Sequence, residues 1–151
     1  PFIMMQGYLN QPDSTVKAFK NLWFHTGDMM RRDEAGYYYF VDRAKERIRR
    51  KSENISSFDI EQIINAHTAV NECVVLPLPN GKEDDIRLIV VKNNQHLSEQ
   101  ELADWIKQKL PKLMWPSYIE FVERLPYTPT FKVEKLKLMR DGLTPNAWKL
   151  Q

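Results

Sequence analysis

Ser56-Ser57-Phe58-Asp59-Ile60-Glu61-Gln62-Ile63-Ile64-Asn65-Ala66-His67 sets a hydroxyl three residues ahead of an acid, then an apolar run. Ser56 is expected to cap a helix, with Asp59 at N3. Ile60, Ile63, Ile64 and His67 fall at i, i+3, i+4 and i+7, so one stripe faces a core. Beyond this helix, Cys73 to Leu76 and Ile86 to Lys92 read as strands joined by a loop containing Pro79-Asn80-Gly81. Ser98 and Glu101 form a second capping box. Leu102, Trp105, Ile106 and Leu110 line that helix's inner face, and Pro111 ends it. Tyr118 to Val122 is a further short strand. Ahead of the first helix, Tyr37-Tyr38-Tyr39-Phe40-Val41 is aromatic and β-branched and follows the turn Asp33-Glu34-Ala35-Gly36. It reads as a strand, with Ile48 to Lys51 as candidate hairpin partner. The order implies an α+β fold, a small mixed sheet flanked by helices, over residues 44–140. Residues 1–43 are expected to be the loop and β tail of a preceding domain, with no helix of their own. Residues 141–151 are expected to be a C-terminal extension.

The chain has 151 residues, 42% apolar and 28% charged, which suits a globular domain with its own core and excludes a disordered one. One cysteine, Cys73, rules out an internal disulfide and argues against a cysteine zinc site. The apolar runs are too short to span a bilayer. Pro1-Phe2-Ile3 has neither a basic n-region nor a long apolar h-region, and no initiator Met precedes it. The expectation is a cytoplasmic protein, cut from a longer one.

Residues 43–51 read Arg-Ala-Lys-Glu-Arg-Ile-Arg-Arg-Lys, six basic residues against one acid, whereas the whole chain nets only +2. Such a run attracts phosphate. A solvated strand edge guarded by Lys and Arg accounts for it equally well. No aromatic residue interrupts the run, which weakens a nucleic-acid reading. No G-x-x-x-x-G-K-[ST], H-E-x-x-H or G-x-S-x-G string occurs. His25, His67 and His96 are widely separated, and His67 reads as a core or helix-end residue.

Longer strings are more specific. Trp23-Phe24-His25-Thr26-Gly27-Asp28 leads to Gly36-Tyr37, then Asp42-Arg43-Ala44-Lys45, then Glu53-Asn54-Ile55-Ser56. Later comes Leu125-Pro126-Tyr127-Thr128-Pro129-Thr130-Phe131-Lys132, and Gly7-Tyr8-Leu9-Asn10-Gln11-Pro12 precedes them all. In this order and spacing they resemble the C-terminal part of adenylate-forming (AMP-binding) enzymes: acyl-CoA synthetases, peptide-synthetase adenylation domains and beetle luciferases. Glu53-Asn54-Ile55-Ser56 is more like the CoA ligases. Tyr118-Ile119-Glu120-Phe121 and Lys132-Val133-Glu134-Lys135 resemble the crotonobetaine/carnitine-CoA ligase branch.

The resemblance implies a two-step reaction. A carboxylate attacks the α-phosphate of ATP, giving acyl-AMP and pyrophosphate, and coenzyme A then displaces AMP. It implies Mg²⁺ and a placed cation, which is Lys132, the catalytic residue. It assigns Asp28 to the ribose hydroxyls, Arg43 to ribose and phosphate, and Lys45 to the hinge about which the C-terminal domain turns. Coenzyme A would meet Ser52, Glu53 and Asn54, and the charge of Arg49, Arg50 and Lys51 would attract its phosphates. No metal ligand is expected in this chain. The partners implied are its own N-terminal AMP-binding domain and a small carboxylate, with no nucleic acid and no transmembrane segment. The fragment alone is expected to be inactive. An enzyme that loads a carrier protein is the alternative, and a small basic nucleic-acid-binding module the remote one. Two residues depart from the family pattern: Phe131 and Ser52 stand where glycines are usual. If position 131 needs φ > 0, a phenylalanine there is strained by about 1–2 kcal/mol.

Overall fold

The computed structural model describes residues 4–44, 46–93 and 96–150. It divides into two compact units, Pro1–Lys45 and Glu46–Gln151.

The first unit opens with a short helix, α1 (Pro12–Ala18). Pro12 takes a first-turn position, where its missing N–H is no loss, and Thr15 N–H donates to the Gln11 carbonyl at 3.0 Å. This helix corrects the expectation that residues 1–42 hold none. It buries no residue, so it carries no apolar stripe by which periodicity could announce it. Two antiparallel strands follow, β1 (Asp28–Arg32) and β2 (Tyr38–Arg43), with a register shift between Met29 and Met30. The partner of the aromatic strand is therefore 28–32 and not Ile48–Lys51. The turn between them decides the pairing. Asp33 accepts Tyr37 N–H at 2.9 Å and the Tyr39 hydroxyl at 2.8 Å, and Gly36 adopts φ 93°.

The second unit begins with a hairpin, β3 (Ile48–Arg50) and β4 (Glu53–Ile55). Its two-residue turn, Lys51-Ser52, has φ 49° and 64°, the left-handed pair that tight hairpins demand. Helix α2 (Ser57–Asn65) starts as the sequence indicates: Ser56 Oγ accepts Asp59 N–H at 3.2 Å. His67 lies just past its end, edge-on to Trp105 at 4.9 Å between ring centres. The main sheet has the order β5-β6-β7-β8, from β5 (Val70–Asn80), β6 (Glu83–Lys92), β7 (Tyr118–Val122) and β8 (Trp148–Lys149). The β6–β7 pair is parallel, and helix α3 (Glu99–Lys109), with its Ser98–Glu101 capping box, lies in the crossover.

Strand β5 runs on through Pro77 and Pro79, well past the expected Cys73–Leu76. It is an edge strand, where proline's missing donor is tolerated. The link to β6 is a tight turn at Gly81, φ 68°. Residues expected as an extension supply β8, which pairs with β7. Beyond the Lys132 loop the chain forms helix α4 (Lys135–Asp141).

The sheet is buried on both faces. Val75, Leu88, Val90 and Ile119 pack with Ile60 and Ile64 of α2 and Leu102 and Ile106 of α3. On the other face Val74, Leu76, Ile89 and Val91 pack with Leu125, against which Val133, Leu138 and Met139 lie. The period of two along β5 and β6 divides these sets. Among the described residues, no helix is long and apolar enough to cross a membrane.

Candidate functional site

In the first unit, the β1–β2 register brings Asp28 opposite Arg43. Arg43 Nη1 lies 2.6 Å from Asp28 Oδ1 and donates to the Thr26 carbonyl at 3.4 Å. Thr26 Oγ1 in turn accepts Asp28 N–H at 3.1 Å. The Thr-Gly-Asp string is thus a local brace that aims one carboxylate. Asp28 Oδ1 is buried and has the Arg43 guanidinium as its ionic partner. Lys45 lies outside the described residues.

In the second unit, residues 126–134 form a small cross-braced hairpin. Tyr127 bridges Val133, Thr128 N–H donates to the Lys132 carbonyl at 2.8 Å, and Lys132 N–H returns to Thr128 Oγ1 at 3.1 Å. Glu134 N–H closes the stem on the Pro126 carbonyl at 2.9 Å. The Tyr127 hydroxyl donates to the Glu72 carboxylate, which raises the phenol's pKa. Lys132 is exposed at the end of this frame. Phe131 beside it is 89% exposed and has φ 58°. The position does require the left-handed region, so phenylalanine there is strained. Ser52 is the same case in the β3–β4 turn.

The basic run does not act as one patch. Arg49 is exposed, with its backbone N–H on Asp84 Oδ2 at 2.8 Å. Arg50 is half-buried, and its Nη1 donates to the carbonyls of Leu113 (3.3 Å) and Trp115 (2.6 Å). Lys51, Ser52, Glu53 and Asn54 are exposed on the hairpin. A cleft of about 450 Å³ opens between this hairpin, the 112–117 segment and the end of β8. Arg50, Lys51, Lys112 and Lys149 line it beside Trp115. Asp85, the acid there, already holds Ser117 and Asn80. Four cations around one aromatic wall suit a phosphorylated ligand. Sequence reading found Arg50 and Lys51 but missed Lys112, Trp115 and Lys149, because nothing local links them.

One further group escaped it. Lys135 sits between Glu46 and Glu61, at 2.7 and 3.1 Å. Burial opposes its charge, but the two carboxylates outweigh burial and hold its pKa above the ordinary lysine value. Burial pushes Glu61 up despite Lys135. Cys73 is buried and free, its thiol pKa pushed far up by burial, which suits a core residue and not a nucleophile. Among the described residues, no cluster of three or more His, Cys, Asp or Glu side chains could hold a metal ion.

Comparison with known proteins bears on the fold and the family. Residues 59–132 match the model of the AMP-binding enzyme C-terminal domain, a stretch that ends on Lys132. The chain is 35% identical over 142 residues to crotonobetaine/carnitine–CoA ligase of Salmonella arizonae, covering 89% of this chain and 27% of that protein. It is 36% identical over 137 residues to the long-chain-fatty-acid–CoA ligase FadD13 of Mycobacterium tuberculosis, covering 90% and 27%. Among solved structures, o-succinylbenzoate CoA synthetase of Bacillus subtilis, in complex with its acyl-adenylate intermediate, superposes with a TM-score of 0.78. That alignment is 28% identical and covers 97% of this chain and 29% of that one. The chain spans about a quarter of the length of the curated relatives it matches. Its α+β fold, its ordered motifs and these matches agree, and the chain belongs to the AMP-binding enzyme C-terminal domain family.

Proposed function

We propose that this chain is the C-terminal part of an ATP-dependent acid–thiol ligase, which joins a carboxylate to coenzyme A through an acyl-adenylate. The observation that carries the reading is the exposed Lys132 on its cross-braced loop, at the end of the family match. In adenylate formation the carboxylate oxygen attacks the α-phosphorus and pyrophosphate leaves. Two anions must meet, and the Lys132 ammonium bridges them. A unit charge at about 4 Å with an effective dielectric near 20 is worth about 4 kcal/mol, roughly 10³ in rate if it acts only in the transition state.

Asp28 receives the ribose hydroxyls, a role supported by its carboxylate being fixed by Thr26 and Arg43, and Arg43 stands beside it toward ribose and phosphate. Mg²⁺ accompanies ATP and neutralises phosphate charge, and no residue of this chain is assigned to it. In the second half-reaction the thiolate of coenzyme A attacks the acyl carbon and AMP leaves. Arg49 and Lys51 draw in its phosphates, the cleft beside Arg50 receives them, and Ser52, Glu53 and Asn54 border the approach. Lys45 is the hinge between the two states. Near-equal identity to a carnitine and a long-chain ligase supports a carboxylic acid substrate and no narrower class, although the motifs favour the crotonobetaine/carnitine branch. A cytoplasmic location belongs to the same reading, as does inactivity of the isolated chain.

The test separates the half-reactions in the enzyme that contains this chain. Lys132→Ala is expected to lower ATP–pyrophosphate exchange by roughly 10³ while sparing thioester formation from supplied acyl-AMP. Lys45→Pro is expected to do the reverse, because proline locks φ and removes a donor. Equal loss of both halves in Lys132→Ala overturns the assignment.

A further inference from the structure

Lys135 opens α4 three residues beyond Lys132, and its ammonium joins two distant carboxylates. Glu46, the first residue of the second unit, contributes Oε2 at 2.7 Å, and Glu61 of α2 contributes Oε1 at 3.1 Å. All three side chains are largely buried, and Glu61 is itself fixed by Val75 N–H at 2.8 Å. One side chain therefore ties the start of the unit, α2 and α4 to one point. Helix α4 needs such a tie. It has seven residues and none fully buried; Leu138 and Met139 lie only partly buried against the sheet, and a helix this short holds its shape poorly by itself. Its middle is held likewise, by Arg87 Nη1 donating to the Leu138 carbonyl at 2.7 Å. The loop that presents Lys132 runs straight into α4 through the Tyr127–Val133 bridge and the Glu134–Pro126 hydrogen bond.

We propose that Lys135 is a positioning residue for Lys132: by bridging Glu46 and Glu61 it locks the Lys132 loop to the segment that follows residue 45, so that the two turn as one body. This rests on the reading of Lys132 given above, and it adds a residue that does not touch substrate.

Amide hydrogen exchange on this chain tests the brace. Lys135→Met and, as a milder cut, Glu46→Gln should speed exchange of the Thr128, Phe131 and Lys132 amides roughly tenfold or more and leave the β5–β6 amides unchanged. Lys135→Arg should restore protection. No change at the loop in either variant, or equal acceleration in the sheet, overturns the proposal. In the whole enzyme, Lys135→Met should lower kcat for adenylate formation roughly 10–100-fold, with KM for ATP within about twofold and thioester formation from supplied acyl-AMP retained. Lys135→Arg should recover most of the loss. Equal damage to both half-reactions marks Lys135 as merely structural and overturns its positioning role. Lys132→Ala runs alongside. If it leaves adenylate formation intact while the loop amides still respond to Lys135→Met, the role of Lys132 falls, and its positioning with it, although the brace exists.

Discussion

Arg87 and Glu120 form a two-pronged ion pair inside the second unit, with Nε 2.5 Å from Oε1 and Nη2 3.1 Å from Oε2. They stand on the neighbouring parallel strands β6 and β7, only 3% and 1% exposed. Each has further work: Arg87 holds the Leu138 carbonyl, and Glu120 accepts Thr144 N–H at 3.2 Å. The pair thereby fastens α4 and the chain after it to the sheet.

Removing one partner strands the other charge. Arg87→Met is expected to destabilise the chain by about 3–5 kcal/mol in denaturant unfolding. The double variant Arg87→Met, Glu120→Leu should regain much of this, because it buries no lone charge. It should not regain all of it, since Leu138 and Thr144 lose their partners. A double variant as unstable as the single one would show that the hydrogen bonds, and not the buried charge, dominate.

The pH dependence follows from the same pair. Burial works against the Glu120 carboxylate, but Arg87 and Thr144 N–H outweigh it and hold the pKa below the ordinary glutamate value. The unfolded chain thus binds its proton more readily than the folded one. The stabilisation is complete above the ordinary glutamate pKa and is lost as pH falls through the lower native value. Glu61, raised by burial, acts in the opposite sense: its stabilising effect weakens as pH rises from the ordinary value through the raised one. Stability measured from pH 7 down to 2 should therefore fall on the acid side less steeply in Glu120→Gln than in the parent. An unchanged slope would remove Glu120 from the acid transition.

Phe131 and Ser52 both occupy the left-handed region, at φ 58° and 64°. A β-carbon there costs about 1–2 kcal/mol, and glycine returns part of that as unfolded-chain entropy. Phe131→Gly and Ser52→Gly should each stabilise the chain by about 0.5–1 kcal/mol, read from denaturant midpoints at constant m. Destabilisation by either would mean that its side chain makes a contact worth more than the strain.

The basic run should split into two classes. Arg50 is committed to the Leu113 and Trp115 carbonyls, so Arg50→Ala should cost about 1–3 kcal/mol of stability. Arg49 and Lys51 are exposed, and single exposed pairs are worth only about 0–1 kcal/mol. Neutralising both in the whole enzyme should raise KM for coenzyme A several-fold and flatten its salt dependence, leaving KM for ATP unmoved. An unchanged KM for coenzyme A would make them a solvated hairpin edge.

What could be read along the chain was what neighbours in sequence decide. The caps at Ser56 and Ser98 bond within three residues, and the stripe of Ile60 and Ile64 needs only the helical period. The Thr-Gly-Asp and Thr-Pro-Thr-Phe-Lys strings are contiguous because each is its own hydrogen-bonded frame. Position 131 was suspect for the same local reason, a backbone angle that glycine normally serves. Folding alone decided the rest. The partner of the aromatic strand was set by a turn at Asp33 that competes with any later strand. Strand β5 passes through two prolines because it ends up at a sheet edge. Helices α1 and α4 are only seven residues long and have no fully buried residue, too little for a period to show in the sequence. The cleft draws on four segments, and Lys135 meets Glu46 across 89 positions. A charged side chain shows no trace in sequence of which distant partner will offset its desolvation; that choice is made only when packing brings the segments within reach.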